Sequence, residues 1–427
     1  TPISPSNCPG NTFTVDITVN PKPLGSASPE TICSGATTSV ALSSTVAGTT
    51  YTWTAAQQSG ATITGFSNCG TACGTTIAQT LTNSTNNTVG VVRYTVTPTS
   101  PDGCVGNTFT VDVTVDPKPL GSASAQSICS GNSTSVTLNS TIGGTAFTWT
   151  AAQQSGATIT GFSNCNAGCG GTISQVLTNT TNTTAGVVRY TVTPTAPNGC
   201  VGSSFTVDVT VNPKPSGSAS NQSICSGFTT SVALSSTVPS STFTWTAAQL
   251  SGSTITGFSN CAAACGTTIA QTLTNTSNAT PGIVRYTVTP ISPSNCPGNT
   301  FTVDVTVNPK PVGSASPQTI CSGFTSSVAL NSTAVGTTFT WTAAQQSGAT
   351  ITGFSNCGAA CGTTIAQLLT NTTNNNPGVV RYTVTPTSAD GCVGNTFTVD
   401  VTVNPKPGVS VTTTPACIGV SNGSATA

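Results

Sequence analysis

Polar and apolar side chains alternate along most of this chain, and a period of two is typical of β-strands with one buried face. In residues 91–97, for example, Val92, Tyr94 and Val96 fall on one face while Arg93 falls on the other. Gly, Pro and Asn separate such stretches at short intervals, as they do in turns. No long stripe with a period of 3.6 residues is present. The pattern therefore predicts an all-β protein.

Seven alternating stretches make up the first complete unit of the chain. We assign them to strands A to G at 24–32, 37–44, 50–56, 61–66, 75–81, 91–97 and 107–115. Val40 and Leu42 point inward from strand B, and Tyr51 and Trp53 share one face of strand C. Seven short strands with turns between them predict a Greek-key β-sandwich of the immunoglobulin type.

The unit repeats with a period of 96 residues (189−93), because the hexapeptide Arg-Tyr-Thr-Val-Thr-Pro begins at Arg93, Arg189, Arg285 and Arg381. This period suits a whole immunoglobulin-sized domain. Neighbouring units are joined by Asn/Asp-Pro-Lys-Pro, whose prolines favour an extended linker. The predicted domains are four Ig-like repeats at 24–119, 120–215, 216–311 and 312–407, preceded by the C-terminal part of a repeat at 1–23 and followed by the start of a further β-repeat at 408–427.

Charge is scarce in this sequence. Charged residues make up 4% of the chain, and nine basic residues balance nine acidic ones. A neutral chain offers no electrostatic footprint for nucleic acid. No apolar run is long enough to span a bilayer. Because residues 1–23 match the end of later units, we expect an export signal and any anchor to lie outside this sequence.

The chain has 18 cysteines but no histidine or methionine. Cytosolic chains seldom carry so many thiols unless these bind metal, and zinc sites normally use paired C-x-x-C knuckles or histidine. Here a C-x-x-x-C spacing occurs once per unit without a second knuckle. We therefore expect disulfides formed in an oxidising, extracellular compartment, and neither a metal site nor a cofactor.

The C-x-x-x-C cysteines are predicted to close local disulfides, because this spacing lets the Cα atoms approach within the ~4.4–6.8 Å that a disulfide requires. The predicted pairs are Cys69–Cys73, Cys165–Cys169, Cys261–Cys265 and Cys357–Cys361. Closing so short a loop removes little chain entropy. The loop is therefore expected to shape the tip between strands D and E rather than to hold the domain together.

The other two cysteines of each unit have two open pairings. Alternating strand directions place Cys33, after strand A, at the bottom of its domain and Cys104, between strands F and G, at the top. A disulfide cannot bridge a sandwich roughly 30 Å tall, whereas the bottom of one domain meets the top of the next. The favoured scheme pairs Cys33–Cys200, Cys129–Cys296 and Cys225–Cys392, and leaves Cys8, Cys104, Cys321 and Cys417 to partners beyond this sequence or in truncated neighbours. The alternative is pairing within each domain, as in Cys33–Cys104, which requires strand A to be short or displaced.

A cross-strand ion pair is predicted on the outer face of each unit. If Thr97 lies opposite Thr108 in the hairpin of strands F and G, then Arg93 lies opposite Asp112. The equivalent pairs are Arg189–Asp208, Arg285–Asp304 and Arg381–Asp400. Exposed pairs contribute only ~0–1 kcal/mol, so we expect them to fix the strand register rather than to supply stability.

One tryptophan recurs in strand C of each unit, at Trp53, Trp149, Trp245 and Trp341. It could serve as a ring platform for sugar, but the analogy with immunoglobulin domains favours a place in the sandwich core. The other recurring aromatic residues are also expected to face inward. In the first unit these are Tyr51, Phe66, Tyr94 and Phe109.

Catalytic chemistry is not apparent in the sequence. Without histidine, neither a Ser-His nor a Cys-His nucleophile pair can form. Carboxylates are sparse, and the repeats do not share a pair that could hydrolyse a glycosidic bond. We therefore expect that the chain is not an enzyme.

The order of motifs within a unit carries a family resemblance. The unit reads Thr-Ile-Cys-Ser-Gly, Thr-Trp-Thr, Thr-Ile-Ala-Gln, Arg-Tyr-Thr-Val-Thr-Pro and Asp-Gly-Cys-Val-Gly. This order resembles the PKD-like, Ig-type repeats of Bacteroidota surface proteins, which are typically cargo of type IX secretion. The tail at 415–426 resembles the start of a gliding-adhesin-type repeat. The resemblance implies a spacer within a cell-surface adhesin.

Two functions therefore remain in view. The preferred hypothesis is an extracellular structural stalk or fibre that is stiffened by disulfides. The alternative is a module that binds polysaccharide or a surface. The expected partners are the neighbouring repeats of the same chain and a glycan or surface ligand outside this sequence. Because the faces are neutral and rich in threonine, they would also permit lateral association of chains into a fibre.

Overall fold

The computed structural model describes residues 1–71, 73–263, 265–359, 361–415, 418–421 and 423–426. Within these ranges every regular element is a β-strand. The chain divides into two compact units, Thr1–Pro213 and Lys214–Ala427. Each unit contains two of the four sequence repeats, which we number 1 to 4 from the N-terminus.

Each repeat is built from ten or eleven strands, many of them only two residues long. Repeat 1 contains β1 Gly25–Ser26, β2 Glu30–Cys33, β3 Ala36–Thr37, β4 Val40–Ala41, β5 Ser43–Ser44, β6 Thr50–Gly60, β7 Ile63–Thr64, β8 Thr76–Ile77, β9 Thr80–Asn83, β10 Gly90–Thr99 and β11 Phe109–Asp116. Repeat 2 contains β12 Gly121–Ser122, β13 Gln126–Cys129, β14 Asn132–Ser133, β15 Val136–Thr137, β16 Asn139–Ser140, β17 Ala146–Gly156, β18 Ile159–Thr160, β19 Thr172–Ile173, β20 Val176–Asn179, β21 Gly186–Thr195 and β22 Phe205–Asn212.

The second unit repeats this arrangement. Repeat 3 contains β23 Gly217–Ser218, β24 Gln222–Cys225, β25 Phe228–Thr229, β26 Val232–Ala233, β27 Ser235–Ser236, β28 Thr242–Gly252, β29 Ile255–Thr256, β30 Thr268–Ile269, β31 Thr272–Asn275, β32 Gly282–Ile291 and β33 Phe301–Asn308. Repeat 4 contains β34 Gly313–Ala315, β35 Gln318–Cys321, β36 Phe324–Thr325, β37 Val328–Ser332, β38 Thr338–Gly348, β39 Ile351–Thr352, β40 Thr364–Ile365, β41 Leu368–Asn371, β42 Gly378–Thr387 and β43 Phe397–Asn404. The tail adds β44 Thr412–Thr414 and β45 Ser424–Thr426.

The larger sheet of repeat 1 has the strand order β2-β11-β10-β6. Strand β10 pairs antiparallel with β11 and β6, whereas β2 pairs parallel with β11. Short ladders form the second layer: β1 with β5, β4 with β8, and β9 with both β3 and β7. The larger sheet keeps the same order in the other repeats, and the predicted all-β tandem array of sandwiches is confirmed.

The predicted strand A, 24–32, is divided in the structure. Its first part, β1, pairs with β5 of the second layer, whereas its second part, β2, pairs with β11 of the larger sheet. Strand A therefore closes one side of the sandwich by contacting both layers. Alternation alone did not indicate this change of sheet, because both parts have a period of two.

The predicted strands B, 37–44, and E, 75–81, are interrupted by a buried hydroxyl group. The Thr38 hydroxyl donates to the Ile77 carbonyl (2.7 Å) and accepts from the Gln79 backbone N–H (3.0 Å). A side chain that takes over backbone partners competes with the regular ladder. Each predicted strand is consequently split into shorter pieces.

Strand C extends beyond its predicted end at residue 56, because β6 continues to Gly60. The Gln57 side-chain amide donates to the Ser59 and Ala61 carbonyls, both at 2.8 Å, and its oxygen accepts from the Ile63 N–H (2.9 Å). These bonds satisfy backbone groups where the chain turns from β6 into β7.

Each repeat has its own hydrophobic core between the two layers. In repeat 1, Val92, Tyr94 and Val96 of β10 are fully buried, in agreement with their alternation in the sequence. Burying a large apolar side chain contributes roughly 1.5–3 kcal/mol. Among the described residues, each core cluster lies within a single repeat.

Candidate functional site at the junction between repeats

Cys33 is the last residue of β2 and begins a tight turn. The Ser34 N–H donates to the Asp116 carbonyl (2.8 Å), and the Gly35 N–H donates to the Leu81 carbonyl (2.7 Å). Gly35 has a φ of 80°, a conformation that glycine adopts without the penalty a Cβ would bring. The turn therefore holds Cys33 in a fixed place at the end of strand A.

A buried asparagine supports this turn. The Asn83 side-chain amide donates to the Val115 carbonyl (3.0 Å) and the Thr88 carbonyl (2.8 Å). Its backbone N–H donates to the Ser34 hydroxyl (3.0 Å). Asn83 is only 6% exposed, so its place in an Asn-x-Thr triplet does not make it an accessible glycosylation site. Equivalent asparagines, a signal that our sequence reasoning missed, recur at Asn179, Asn275 and Asn371.

Cys200 lies in the loop between β21 and β22 of repeat 2. Its carbonyl accepts from the Ala196 N–H (2.9 Å), and the Gly199 N–H donates to the Ala196 carbonyl (2.9 Å). The Asn198 side-chain oxygen accepts from the Cys200 N–H (3.2 Å). This compact loop buries the Cys200 side chain almost completely.

A disulfide joins Cys33 of repeat 1 to Cys200 of repeat 2, with their Cα atoms 5.5 Å apart. In the second unit, Cys225 of repeat 3 is bonded to Cys392 of repeat 4 at the same Cα distance of 5.5 Å. The favoured inter-domain pairs Cys33–Cys200 and Cys225–Cys392 are therefore present in the structure. It does not contain the alternative Cys33–Cys104 pair, because Cys33 is bonded to Cys200.

The remaining cysteines of this class are Cys8, Cys104, Cys129, Cys296, Cys321 and Cys417. Cys8, Cys104 and Cys321 have no disulfide partner in the structure, and Cys417 lies outside the described residues. The pairing of Cys129 with Cys296 would connect the two units and stays a prediction.

The linker of repeat 1 contacts the domains on both of its sides. A Cβ placed on Gly35 would lie 3.8 Å from Lys118 Nζ, so the lysine side chain reaches back to the Cys33 turn. On the other side, a Cβ on Gly202 would overlap the Pro119 carbonyl, so the linker backbone packs closely on the Cys200 loop. The Thr141 hydroxyl of repeat 2 also donates to the Asn86 carbonyl of repeat 1 (2.7 Å). The junction thus combines linker packing, a hydrogen bond and a disulfide.

The local disulfides also form. Their Cα–Cα distances are 5.8–5.9 Å for Cys69–Cys73, Cys165–Cys169, Cys261–Cys265 and Cys357–Cys361. The expected position at the tip between strands D and E needs correction. The Cys69 N–H and carbonyl bond to the Trp53 carbonyl and N–H, both at 2.9 Å, so the loop lies along the outer edge of β6. A hydrogen-bonded loop covers an edge strand that would otherwise be open to pairing.

The Arg–Asp pairs lie on the outer face of the larger sheet. Arg93 is opposite Asp112 in the register of β10 and β11, and its Nε and Nη2 donate to the two carboxylate oxygens, each at 2.7 Å. Both side chains are more than a third exposed. The hydrogen bonds from Arg93 lower the pKa of Asp112 below its usual 3.8. The same geometry occurs in Arg189–Asp208, Arg285–Asp304 and Arg381–Asp400.

The recurring tryptophans are buried rather than displayed. Trp53 is 6% exposed, and its indole N–H donates to the Ser67 carbonyl (3.2 Å). Trp149, Trp245 and Trp341 are buried to a similar extent. Tyr94 is fully buried, its hydroxyl donates to the Gln79 side chain (2.9 Å), and burial raises the pKa of Tyr94 to about 12. Phe66 and Phe109 are partly buried against the same core. These rings therefore cannot form an exposed sugar platform.

Among the residues that the structure describes, no group of three or more His, Cys, Asp or Glu side chains is placed to hold a metal ion. Within the same residues, the structure has no helix that is long and apolar enough to cross a bilayer.

Several solved structures are similar to this chain. An I-band fragment of titin is 11% identical, with a TM-score of 0.31, over 68% of this chain and 100% of that chain. The EC1-4 fragment of Drosophila N-cadherin is 10% identical, with a TM-score of 0.24, over 88% of this chain and 100% of that chain. The N-terminal eight Ig domains of Down Syndrome Cell Adhesion Molecule are 12% identical, with a TM-score of 0.30, over 90% of this chain and 49% of that chain. No curated protein matches the chain.

The PKD-like domain family matches the chain four times, at residues 30–119, 126–215, 222–311 and 318–407. These matches cover well over half of the sequence. The chain therefore belongs to the PKD-like domain family.

Proposed function

We propose that this tandem array of PKD-like domains is a disulfide-stiffened spacer in the stalk or fibre of an extracellular surface adhesin. The spacer consists of the repeats at 24–119, 120–215, 216–311 and 312–407, flanked by part of a repeat at 1–23 and the start of another at 408–427. The observation that carries the proposal is the Cys33–Cys200 disulfide, which adds a second covalent connection at a junction that the peptide linker already joins. Two connections at different points restrict both the bending and the twisting of repeat 1 relative to repeat 2.

The proposed extracellular location of this spacer rests on its disulfides and on the motifs of its repeats. Disulfides persist in oxidising compartments, which supports an extracellular location. The motif order within each repeat supports a cell-surface adhesin of the Bacteroidota type. Neutral outer faces rich in threonine would let neighbouring chains pack side by side in a fibre. The proposal assigns no catalytic step to the chain.

The proposal can be tested by imaging the junction. Electron micrographs of the oxidised chain should give a narrow distribution of angles between repeats 1 and 2. The Cys33→Ser/Cys200→Ser variant should broaden this distribution, because only the peptide linker then connects the two repeats. The matched control is Cys69→Ser/Cys73→Ser, which removes a disulfide away from the junction. Equal distributions in the wild type and the junction variant would contradict the proposal.

A second candidate function is glycan binding. A shallow groove of ≈ 520 Å³ in repeat 1 runs beside the Cys69 loop, and five of its nine lining residues are threonines, among them Thr54, Thr95 and Thr97. Similar grooves of ≈ 410 and ≈ 530 Å³ occur in repeats 3 and 4. A glycan array with the whole chain tests this candidate. Saturable binding that is lost in the Thr95→Val/Thr97→Val variant would favour a binding module. Binding to none of the glycans on the array would favour the spacer.

A further inference from the structure

We propose that one A or G strand of each repeat, connected to the next by the junction disulfides and the linker between repeats 2 and 3, forms a covalent tether that carries tension past strands B to F of every repeat. This inference rests on the proposed spacer function and names the part of the spacer that bears force. The strands on this route are the A strands β2 and β24 and the G strands β22 and β43.

The first step is the covalent route itself. Cys33 ends the A strand of repeat 1, and its disulfide leads to Cys200, five residues before the G strand β22 (205−200). The chain then passes through the linker and the A strand β24 to Cys225. The next disulfide leads from Cys225 to Cys392, just before the G strand β43. The route thus alternates between G strands, linkers, A strands and disulfides.

The second step is the length of chain that this route omits. The main chain between Cys33 and Cys392 comprises 359 residue steps (392−33), whereas the disulfide route uses only the 25 steps from Cys200 to Cys225. Residues 34–199 and 226–391 lie within the two loops that the disulfides close. These loops contain strands B to F of all four repeats, so tension applied at the chain ends does not unravel these strands while the disulfides remain intact.

The third step is the lateral support of the route. In repeat 1, β2 and β11 are parallel neighbours, paired from Glu30 opposite Val113 to Cys33 opposite Asp116. The G strand β11 continues through its linker into the A strand β13, which ends at Cys129. The predicted Cys129–Cys296 bond would extend this second route into repeat 3. Strand β2 of the first route would then lie beside strand β11 of the second route in one sheet.

Single-molecule force spectroscopy on the whole chain, held by peptide tags at both termini, tests this inference. Cys8, Cys104, Cys321 and Cys417 are replaced by serine in every sample to prevent links between chains. Unfolding of one unprotected 96-residue repeat should lengthen the chain by about 300 Å, at about 3.5 Å per residue less its folded length. The oxidised chain should extend without steps of this size. Addition of dithiothreitol should produce up to four of them.

Two variants sharpen the test under oxidising conditions. Cys33→Ser/Cys200→Ser should restore at least one step of repeat size, because repeat 1 then lies directly in the path of the force. Cys69→Ser/Cys73→Ser is the matched control and should leave the trace unchanged, since its disulfide encloses only three residues.

Either of two results would overturn the tether. One is repeat-sized steps in oxidised chains whose Cys33–Cys200 and Cys225–Cys392 linkages have been verified by peptide mapping. The other is a Cys33→Ser/Cys200→Ser trace without such steps. An oxidised chain that served as a glycan-binding module instead of a spacer would still extend without repeat-sized steps. Failure of the tether is therefore distinguishable from failure of the proposed function.

Discussion

The junction and the edge of β6 both carry a disulfide, but the two bonds close very different loops. Cys33 and Cys200 are separated by 167 residues, whereas Cys69 and Cys73 are separated by four. In the chain-entropy model these loops correspond to stabilisation of about 5 and about 2 kcal/mol. The same bond thus restrains a pair of repeats in one place and shapes a short loop in the other. Loop size and position decide the role of each disulfide.

The largest expected effect comes from removal of the junction disulfide. Cys33→Ala/Cys200→Ala should lower the free energy of unfolding of repeats 1 and 2 by up to about 5 kcal/mol, because the unfolded chain regains the entropy of a long open loop. Chemical denaturation of the oxidised variant and wild type measures the difference. A loss no greater than that of the local-disulfide variant would remove the contrast between the two bonds.

The next effect concerns the turn that holds Cys33. Asn83→Ala should destabilise the protein by about 1–3 kcal/mol, because the Val115 carbonyl loses its buried donor. Asn87→Ala is the control, since Asn87 lies in the same turn but is exposed, and exposed substitutions usually change stability by less than about 0.5 kcal/mol. Thermal unfolding of both variants checks this prediction. Equal losses in the two variants would show that the buried amide does not support the junction.

A smaller effect is expected from the local disulfide. Cys69→Ser/Cys73→Ser should destabilise repeat 1 by about 2 kcal/mol at most, because so short a loop has little entropy to regain. Hydrogen exchange should instead become faster at Trp53, whose N–H bonds to Cys69 along the edge of β6. Unchanged exchange at Trp53 would contradict the edge-covering role.

The smallest effect concerns pH. The hydrogen bonds from Arg93 lower the pKa of Asp112 in the folded state, so the ion pair stabilises the fold above the unfolded-state pKa of 3.8 and loses this contribution as the pH falls through the lower folded pKa. Arg93→Gln should therefore weaken the dependence of stability on pH in this acidic range. Urea denaturation at several acidic pH values measures it. Identical pH profiles in the variant and wild type would exclude the pair as a source of stability.

The alternation of polar and apolar residues and the 96-residue repeat predict most of the fold. The alternation of Val92, Tyr94 and Val96 predicted β10 and its buried face, and one assumption about the hairpin register placed Arg93 opposite Asp112. Strand directions alone placed Cys33 near the following repeat. These features are predictable because a period of two and a fixed repeat length leave few alternatives.

The remaining features depend on contacts that have no period. The division of strand A arises from its pairing with two sheets, and the break in strand B arises from the single hydroxyl of Thr38. The Cys69 loop has no alternation that would place it along β6. The contacts of the Asn83 side chain also have no period, although the recurrence of this asparagine at one position of every repeat is a usable signal for a structural role.

The constant separation between the junction cysteines also limits how such a gene can change. Both observed pairs are 167 residues apart. In each pair, the cysteine at the end of strand A is bonded to a cysteine of the following repeat. Duplication or loss of a whole 96-residue unit brings an equivalent partner to the same place, so copy number can vary without disrupting the pairing. An insertion or deletion of another length that displaces one cysteine would leave two thiols unmatched. The disulfides therefore favour evolution by whole repeats.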